Sequence, residues 1–347
     1  MQVILTGAAG WLGMGMLKAL LDGIDGCPNL PRVTEGQIRV LVLPGDTNED
    51  FSKYGDKIEV IRGDVRNPDD CARLLQGADG ALLYHTAGVI HPRKFSDFYD
   101  VNVEGTQNLL AAAQKSKIKR AVIVSSNSPI GCNPTNDHVF DEESEFNPYM
   151  TYGRSKMLME KSVLRIQQEG AIETVRVRAP WFYGPFQPAR QTLFFQMIRD
   201  GKMPIIGNGK NMRSMAYIDN LSQGLILAGH APVANGKVYW IADERPYSMN
   251  EIIDTVEDVL STDFGIKCTH KRLCIPSIAS DIAFWADKTI QGLGLYHQKI
   301  HVLSEMNKTI ACSVALAMRE LNYSPTISLR EGMNRSVSWM QHNGIKI

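Results

Sequence analysis

Gln2-Val3-Ile4-Leu5-Thr6-Gly7-Ala8-Ala9-Gly10-Trp11-Leu12-Gly13 opens the chain with an apolar run and a glycine turn, and Met14 to Leu21 follows at helical spacing. The order is strand, turn, helix. Glycines at 7, 10 and 13 allow a tight turn, close approach of a pyrophosphate and packing of the helix on the sheet, while the helix N-terminus faces phosphate charge. The stretch predicts a dinucleotide site at the end of a first parallel strand.

Downstream, strands and helices alternate. After a Pro/Gly-rich connection over 22–37, apolar runs predict strands at Ile38 to Leu43, Lys57 to Ile61, Gly80 to Tyr84, Arg120 to Val124 and Glu173 to Val177. One long amphipathic helix is expected over Asp97 to Lys115, and another around Thr151 to Ile166. This alternation specifies a doubly wound parallel α/β sheet with its ligands beyond the strand carboxyl ends. Lys237 to Ala242 is expected to return to that sheet. Ser248 and Glu251 match a capping box for a helix over Glu251 to Leu260. The chain therefore divides into 1–180 with 215–245 as the nucleotide-binding domain, and 181–214 with 246–347 as a smaller α/β substrate lobe threaded through it.

Lys+Arg 37 against Asp+Glu 37 gives no net charge, so the bulk electrostatics ask for neither nucleic acid nor an anionic membrane; a small molecule is the expected partner. The six cysteines form no CxxC pair and no metal-ligand spacing with the eight histidines, and read as reduced thiols. No apolar run reaches the length of a membrane span, and the first residues enter a strand without a basic n-region. A cytoplasmic protein with no metal is expected.

Tyr152-Gly153-Arg154-Ser155-Lys156 carries the chemistry. A helix puts the phenol and the ammonium one turn apart on one face, where the cation favours phenolate and proton exchange with a substrate hydroxyl. At the end of the second strand, where an acid would meet a free ribose 2′-hydroxyl, stand Val42, Leu43 and Pro44, with Asp46 the nearest acid. That reading favours NAD and leaves NADP open.

Together, TGAAGWLG, GDV at 63–65, HTAG at 85–88, NVEGTQNLL from 102, VSSNSPIG at 124–131, YGRSK, WFYGP, GNGKNMR and CSVALAMRELNYSP resemble the extended short-chain dehydrogenase/reductase superfamily, in its NAD-dependent epimerase/dehydratase branch. The resemblance covers almost the whole chain and implies a Rossmann-type domain. It implies Tyr152 as acid/base, Lys156 as holder of the nicotinamide ribose, and Ser126, five residues before Gly131, as hydrogen-bond partner of the reacting oxygen. It places the cofactor against Gly7, Gly10, Trp11, Leu12, Gly13, Asp64, Val65, Thr86, Ala87, Asn102, Ser125, Tyr152, Lys156 and Pro180. A homodimer is implied too, with Leu109, Leu110, Met157 and Leu158 available for an apolar face.

Ser128, Trp181 and Arg213 are the expected substrate contacts. The Asp-Glu pair that follows the catalytic Thr in sugar-nucleotide dehydratases is replaced here by Asn127-Ser128. Gly207-x-Gly209-x-x-x-Arg213 is similar to the diphosphate-binding pattern of nucleotide-sugar epimerases, and C4 epimerisation of a nucleotide sugar is the first reading. GKMPIIGNGKNM and VIVSS also resemble the 3β-hydroxysteroid dehydrogenase-like branch. A hydroxysteroid or dihydroflavonol-type oxidoreductase is the second reading, and a non-catalytic NAD(P) sensor the third.

Overall fold

The computed structural model describes residues 1–34, 36–46 and 51–347. Of the connection expected over 22–37, only residue 35 lies outside the described residues. In chain order the elements are β1 (Val3–Thr6), α1 (Trp11–Leu21), β2 (Ile38–Val42), β3 (Ile58–Arg62), α2 (Pro68–Leu74), β4 (Leu82–His85), α3 (Thr106–Lys115), β5 (Arg120–Ser126), α4 (Met150–Glu169) and β6 (Glu173–Ala179). There follow β7 (Trp181–Tyr183), α5 (Ala189–Arg199), β8 (Pro204–Ile206), β9 (Met212–Arg213), β10 (Met215–Tyr217), α6 (Ile218–His230), β11 (Val238–Trp240), β12 (Tyr247–Ser248) and α7 (Met249–Asp258). The chain ends with β13 (Leu273–Ile275), α8 (Ile278–Gly292), α9 (Gln298–Glu305), α10 (Ala315–Leu321) and α11 (Leu329–His342).

Seven strands form one sheet in the order β11-β6-β5-β4-β1-β2-β3, every neighbouring pair parallel. Strand side chains alternate between faces, so Val3 and Leu5 enter one apolar core while Ile4, between them, enters the other with Leu41 and Leu83. Both faces are buried, which is why these strands read as continuous apolar runs. The chain winds one way from β1 to β3 and the other way from β4 to β6, so the order reverses between β1 and β4, where such sheets bind ligands. β11 returns beside β6, as the apolar run over 237–242 predicts.

Two expectations are corrected. The helix expected over 97–115 is interrupted: Asp97–Tyr99 passes through a π-turn at Asp100–Gly105 before α3 begins. Gly105 packs directly on Val65 there, a Cβ at 105 falling 2.7 Å from Val65 Cγ2, and Asn102 turns inward. Wide turns of this kind recur at functional sites. Of the four residues expected on a dimer face, Leu109 and Leu110 are wholly buried in their own core, leaving Met157 and Leu158 half-buried. The Ser248 half of the capping box is present, its Oγ accepting from Glu251 N at 3.1 Å, while the Glu251 carboxylate pairs with Arg245, and α7 starts two residues early.

The smaller strands pair among themselves, β10 with β7, β12 with β9 and β13 with β8. The packed pair α8 and α9 reaches back to α4. Thr151 N, in the first turn of α4, donates to Gln291 Oε1 at 3.0 Å, and the Tyr149 and Ser304 hydroxyls lie 2.8 Å apart.

Candidate active site

Gly7 leaves β1 with φ +74°, and a Cβ there would stand 2.6 Å from Ala87 N, so only glycine lets the turns after β1 and β4 touch. At Gly13 a Cβ would fall 2.0 Å from Gly7 O. Gly10 precedes α1 with no side-chain cap and no acid in the first turn, which leaves the amides at Trp11 and Leu12 to face an anion. This cradle fits a pyrophosphate. The side chains of Trp11 and Leu12 serve packing instead: Trp11 Nε1 donates to Pro185 O at 2.8 Å with its ring 4.7 Å from Phe182, and Leu12 is buried. Gly13→Ala should weaken NAD binding by about tenfold or more, because the added methyl displaces the Gly7 carbonyl. Calorimetric titration of folded variant tests this; wild-type affinity would remove the loop from the site.

Asp64 and Val65 follow β3. Burial pushes the Asp64 carboxyl up, but two hydrogen bonds from the Arg66 guanidinium, at 2.6 and 3.0 Å, outweigh it and hold the group below the usual carboxylate range. Val65 is buried against Gly105. Thr86 Oγ1 donates to Thr6 O at 2.7 Å, tying the end of β4 to β1 beside Ala87. Pro180 is buried directly after β6.

Ser126, Tyr152, Lys156 and Asn102 are brought together, and β5 supplies the first. Strand alternation sends Ser125 and Ser126 to opposite faces. Ser125 Oγ donates to buried Glu160 at 2.6 Å, which spends its proton inside the protein. Ser126 shares a hydrogen bond with the Tyr152 phenol and lies 3.3 Å from Ser128 Oγ. Gly153 allows the approach: a Cβ there would lie 2.4 Å from Ser128 O. Asn102 donates to Val89 O and accepts from Val89 N, and its amide also donates to Ser155 Oγ at 3.1 Å, joining the π-turn to α4.

The expected effect of Lys156 on the phenol is absent. Its Nζ donates to Val124 O at 2.8 Å and lies 3.1 Å from Met159 Sδ. Desolvation pushes Tyr152 up to about 12, with Ser126 alone pulling it down. Burial also lowers the Lys156 ammonium to about 8, against the pull of Glu160.

An aromatic wall faces Tyr152. Phe98 stands 6.3 Å from its ring, Tyr296 meets Phe98 edge-on at 5.4 Å, and the Tyr296 hydroxyl lies 2.6 Å from His91 Nδ1. Trp181 is held from α5 by Gln191 and Phe194. Arg213 donates to Glu305 O at 2.6 Å and ion-pairs with the Glu305 carboxylate at 3.5 Å. The Glu305 charge also adds to the upward shift of the Tyr152 phenol.

Several site residues carry no local sequence signal. His91 and Tyr296 lie 205 positions apart and meet only in the fold. His85 lies inside the quoted HTAG word, yet its role depends on two threonines elsewhere: Nδ1 is 2.7 Å from Thr6 Oγ1 and Nε2 is 2.9 Å from Thr106 Oγ1. Burial, then the Lys156 charge, lower its pKa to about 3, so it serves as a neutral spacer between β1, β4 and α3.

A glycine turn at the strand-order reversal, with a Ser-Tyr-Lys group beyond the next strand ends, defines a nucleotide-dependent oxidoreductase. The chain belongs to the 3-beta hydroxysteroid dehydrogenase/isomerase family, whose sequence model matches residues 4–275. It is 50% identical over 345 residues to the uncharacterised protein y4nL of Sinorhizobium fredii, covering 99% of this chain and 96% of that one. It is 27% identical over 364 residues to a 3-beta-hydroxysteroid dehydrogenase of Mycolicibacterium neoaurum, covering 96% and 89%. Among solved structures it is similar in fold to a UDP-glucuronic acid 4-epimerase from Bacillus cereus in complex with NAD, with TM-score 0.75, 22% identity and 99% of both chains covered. The dTDP-glucose 4,6-dehydratase DesIV from Streptomyces venezuelae, also with NAD bound, gives TM-score 0.75, 24% identity and coverage of 99% and 98%. The chain is thus a member of an enzyme family.

Proposed function

We propose that this protein is an NAD-dependent oxidoreductase that interconverts an apolar secondary alcohol and its ketone, the second of the two enzyme readings of the sequence. Residues 1–180 with 215–245 bind the nucleotide, and 181–214 with 246–347 form the substrate side; Met157 and Leu158 on α4 would face a second copy in a homodimer. A nicotinamide dinucleotide whose pyrophosphate is held by the Gly7 to Gly13 turn would supply the hydride chemistry. Tyr152 takes the carbinol proton in oxidation or returns it in reduction, Ser126 holds the reacting oxygen, and Lys156 orients the ribose.

The observation that carries the substrate class is the engagement of Arg213. A guanidinium bonded to the Glu305 carbonyl and paired with its carboxylate is not presented to a diphosphate, and the half-buried rings of Tyr296 and His91, packed over the inaccessible Phe98, suit an uncharged ring system. Nucleotide-sugar epimerisation is favoured by one feature, the buried Arg213 Nε without a hydrogen-bond partner, which a substrate oxygen would satisfy.

The two reactions differ in electron balance. Oxidation of a sterol-like alcohol should give one NADH per ketone; epimerisation of a sugar nucleotide should give two interconverting sugars and no net NADH. Arg213→Ala should leave the uncharged substrate nearly untouched, whereas a diphosphate contact would cost about 2 kcal/mol or more. Sugar interconversion without NADH would overturn the alcohol reading.

A further inference from the structure

Helix α4 begins without a local cap. Tyr149 precedes it with no side-chain hydrogen bond to the first turn, no acid stands in that turn, and Met150 is left-handed at φ +52°, a conformation that side chains other than glycine adopt only when their surroundings hold them there. Tyr152 comes two positions later. The first turn must therefore find its partners elsewhere in the chain.

It finds them on α8 and α9. Gln291 Oε1, 140 positions further along the chain, accepts from Thr151 N at 3.0 Å. A backbone N–H only donates, so this bond fixes which way the amide points and directs Gln291 Nε2 to Asp287 Oδ1 at 2.9 Å. The other Asp287 oxygen lies 2.8 Å from His301 Nδ1. Beside this chain of bonds, Ser304 Oγ gives its proton to His301 O at 2.7 Å, so in its 2.8 Å contact with Tyr149 the Tyr149 hydroxyl is the donor. Tyr149 N in turn donates to Ser128 O at 3.0 Å, and Ser128 N to Ser126 Oγ at 3.3 Å. The turn that carries Tyr152 and the loop that carries Ser126 are thus tied to one pair of helices.

A helix usually packs by its apolar stripe. On α8 the inward residues are Ser280, Ala283, Asp287 and Gln291, with Asp287 wholly inaccessible, while Ile282 and Trp285 are exposed. Apolar side chains of similar volume would fasten α8 to α4 at least as well as a buried acid, imidazole and amide, and what the directional bonds add is a fixed position. We propose that Gln291, itself oriented by Asp287 and His301, is a positioning residue that holds the first turn of α4, and with it Tyr152, in place beside Ser126. It acts through Thr151 N and takes no part in proton transfer, and the inference rests on the acid/base role of Tyr152 in the proposed function.

The test uses the full chain with NAD and a saturated 3β-hydroxysteroid as the probe alcohol, in Gln291→Met and in Gln291→Asn, which stays polar but is one methylene too short. Both should lower kcat by about tenfold and leave KM for the alcohol and NAD affinity within about twofold, because a displaced proton acceptor weakens the transition state and not ground-state binding. Backbone amides at 150–153 should exchange with deuterium about tenfold faster, and the pH slope of kcat should be kept, since Tyr152 still titrates. Ser280→Ala, which removes a hydroxyl bonded to the Leu303 and Ser304 carbonyls and Asn307 but not to α4, should lower thermal stability and keep kcat. Unchanged exchange at 150–153, wild-type kcat in both Gln291 variants, NAD affinity falling in step with kcat, or an equal loss of kcat in Ser280→Ala would overturn the proposal. The proposed function fails separately: a wild-type protein that makes no NADH from the probe would sink that reading, and the exchange at 150–153 would still decide whether Gln291 holds the turn.

Discussion

Tyr152→Phe should lower kcat by about 10³-fold while leaving NAD affinity within a factor of about two, because proton transfer is removed and the ring packing against Phe98 is kept. Loss of cofactor binding together with activity would instead make Tyr152 a structural support. The pH profile carries the sign. In the oxidative direction the phenol must be deprotonated, and its position at about 12 means that the reactive fraction grows with pH across the neutral and mildly alkaline range. Lys156 does not bend this slope, because its ammonium is taken by Val124 O and Met159 Sδ. Oxidation should therefore climb with pH across this range, and Ser126→Ala should lower the whole curve, since Ser126 supplies the hydrogen bond that pulls the phenol down. A profile flat from pH 6 to 9 would refute these roles.

The nucleotide half was legible because its signals are local. Val3 to Gly13 encodes a strand, a turn and a helix start in one run of chain, and the central strands β1, β4 and β5 announce themselves by two-sided burial. The Ser126, Tyr152 and Lys156 group was legible for a related reason: Tyr152 and Lys156 are one turn apart on α4, and Gly153 brings the Ser126 loop onto that turn. The electrostatics of the group were not legible. Sequence spacing places Lys156 below Tyr152, yet it cannot show that Val124 O and Met159 Sδ take the ammonium. Nor can periodicity reveal a π-turn, since one extra residue between Asp100 and Gly105 leaves the apolar pattern on both sides intact. The substrate side was least legible, because its wall joins residues such as His91 and Tyr296 through tertiary packing alone. On α8 the pattern itself misleads: its apolar stripe points to solvent, and only coordinates show Asp287 as the inward residue.

Glu160→Gln should cost about 3–5 kcal/mol of stability in a denaturant titration. Glu160 is inaccessible and is the anion for two buried cations, bonding Arg178 through both oxygens at 3.1 and 3.0 Å and Arg176 at 3.5 Å. Lys156, one turn before it on α4, adds a third positive charge. Removing the carboxylate charge leaves guanidinium groups in a low-dielectric site, whereas Arg176→Met removes only the longer of the two pairings and should cost less than half as much. The cluster also reaches the chemistry. Ser125 is fixed by Glu160 at 2.6 Å, and it directly precedes Ser126, so Glu160→Gln should lower kcat by roughly tenfold at temperatures where the variant remains folded, through a displaced strand end. Wild-type stability in Glu160→Gln would mean that Arg176 and Arg178 find other partners when the anion is gone. Lost stability with unchanged kcat would separate the fold's need for this cluster from any part it has in holding Ser126.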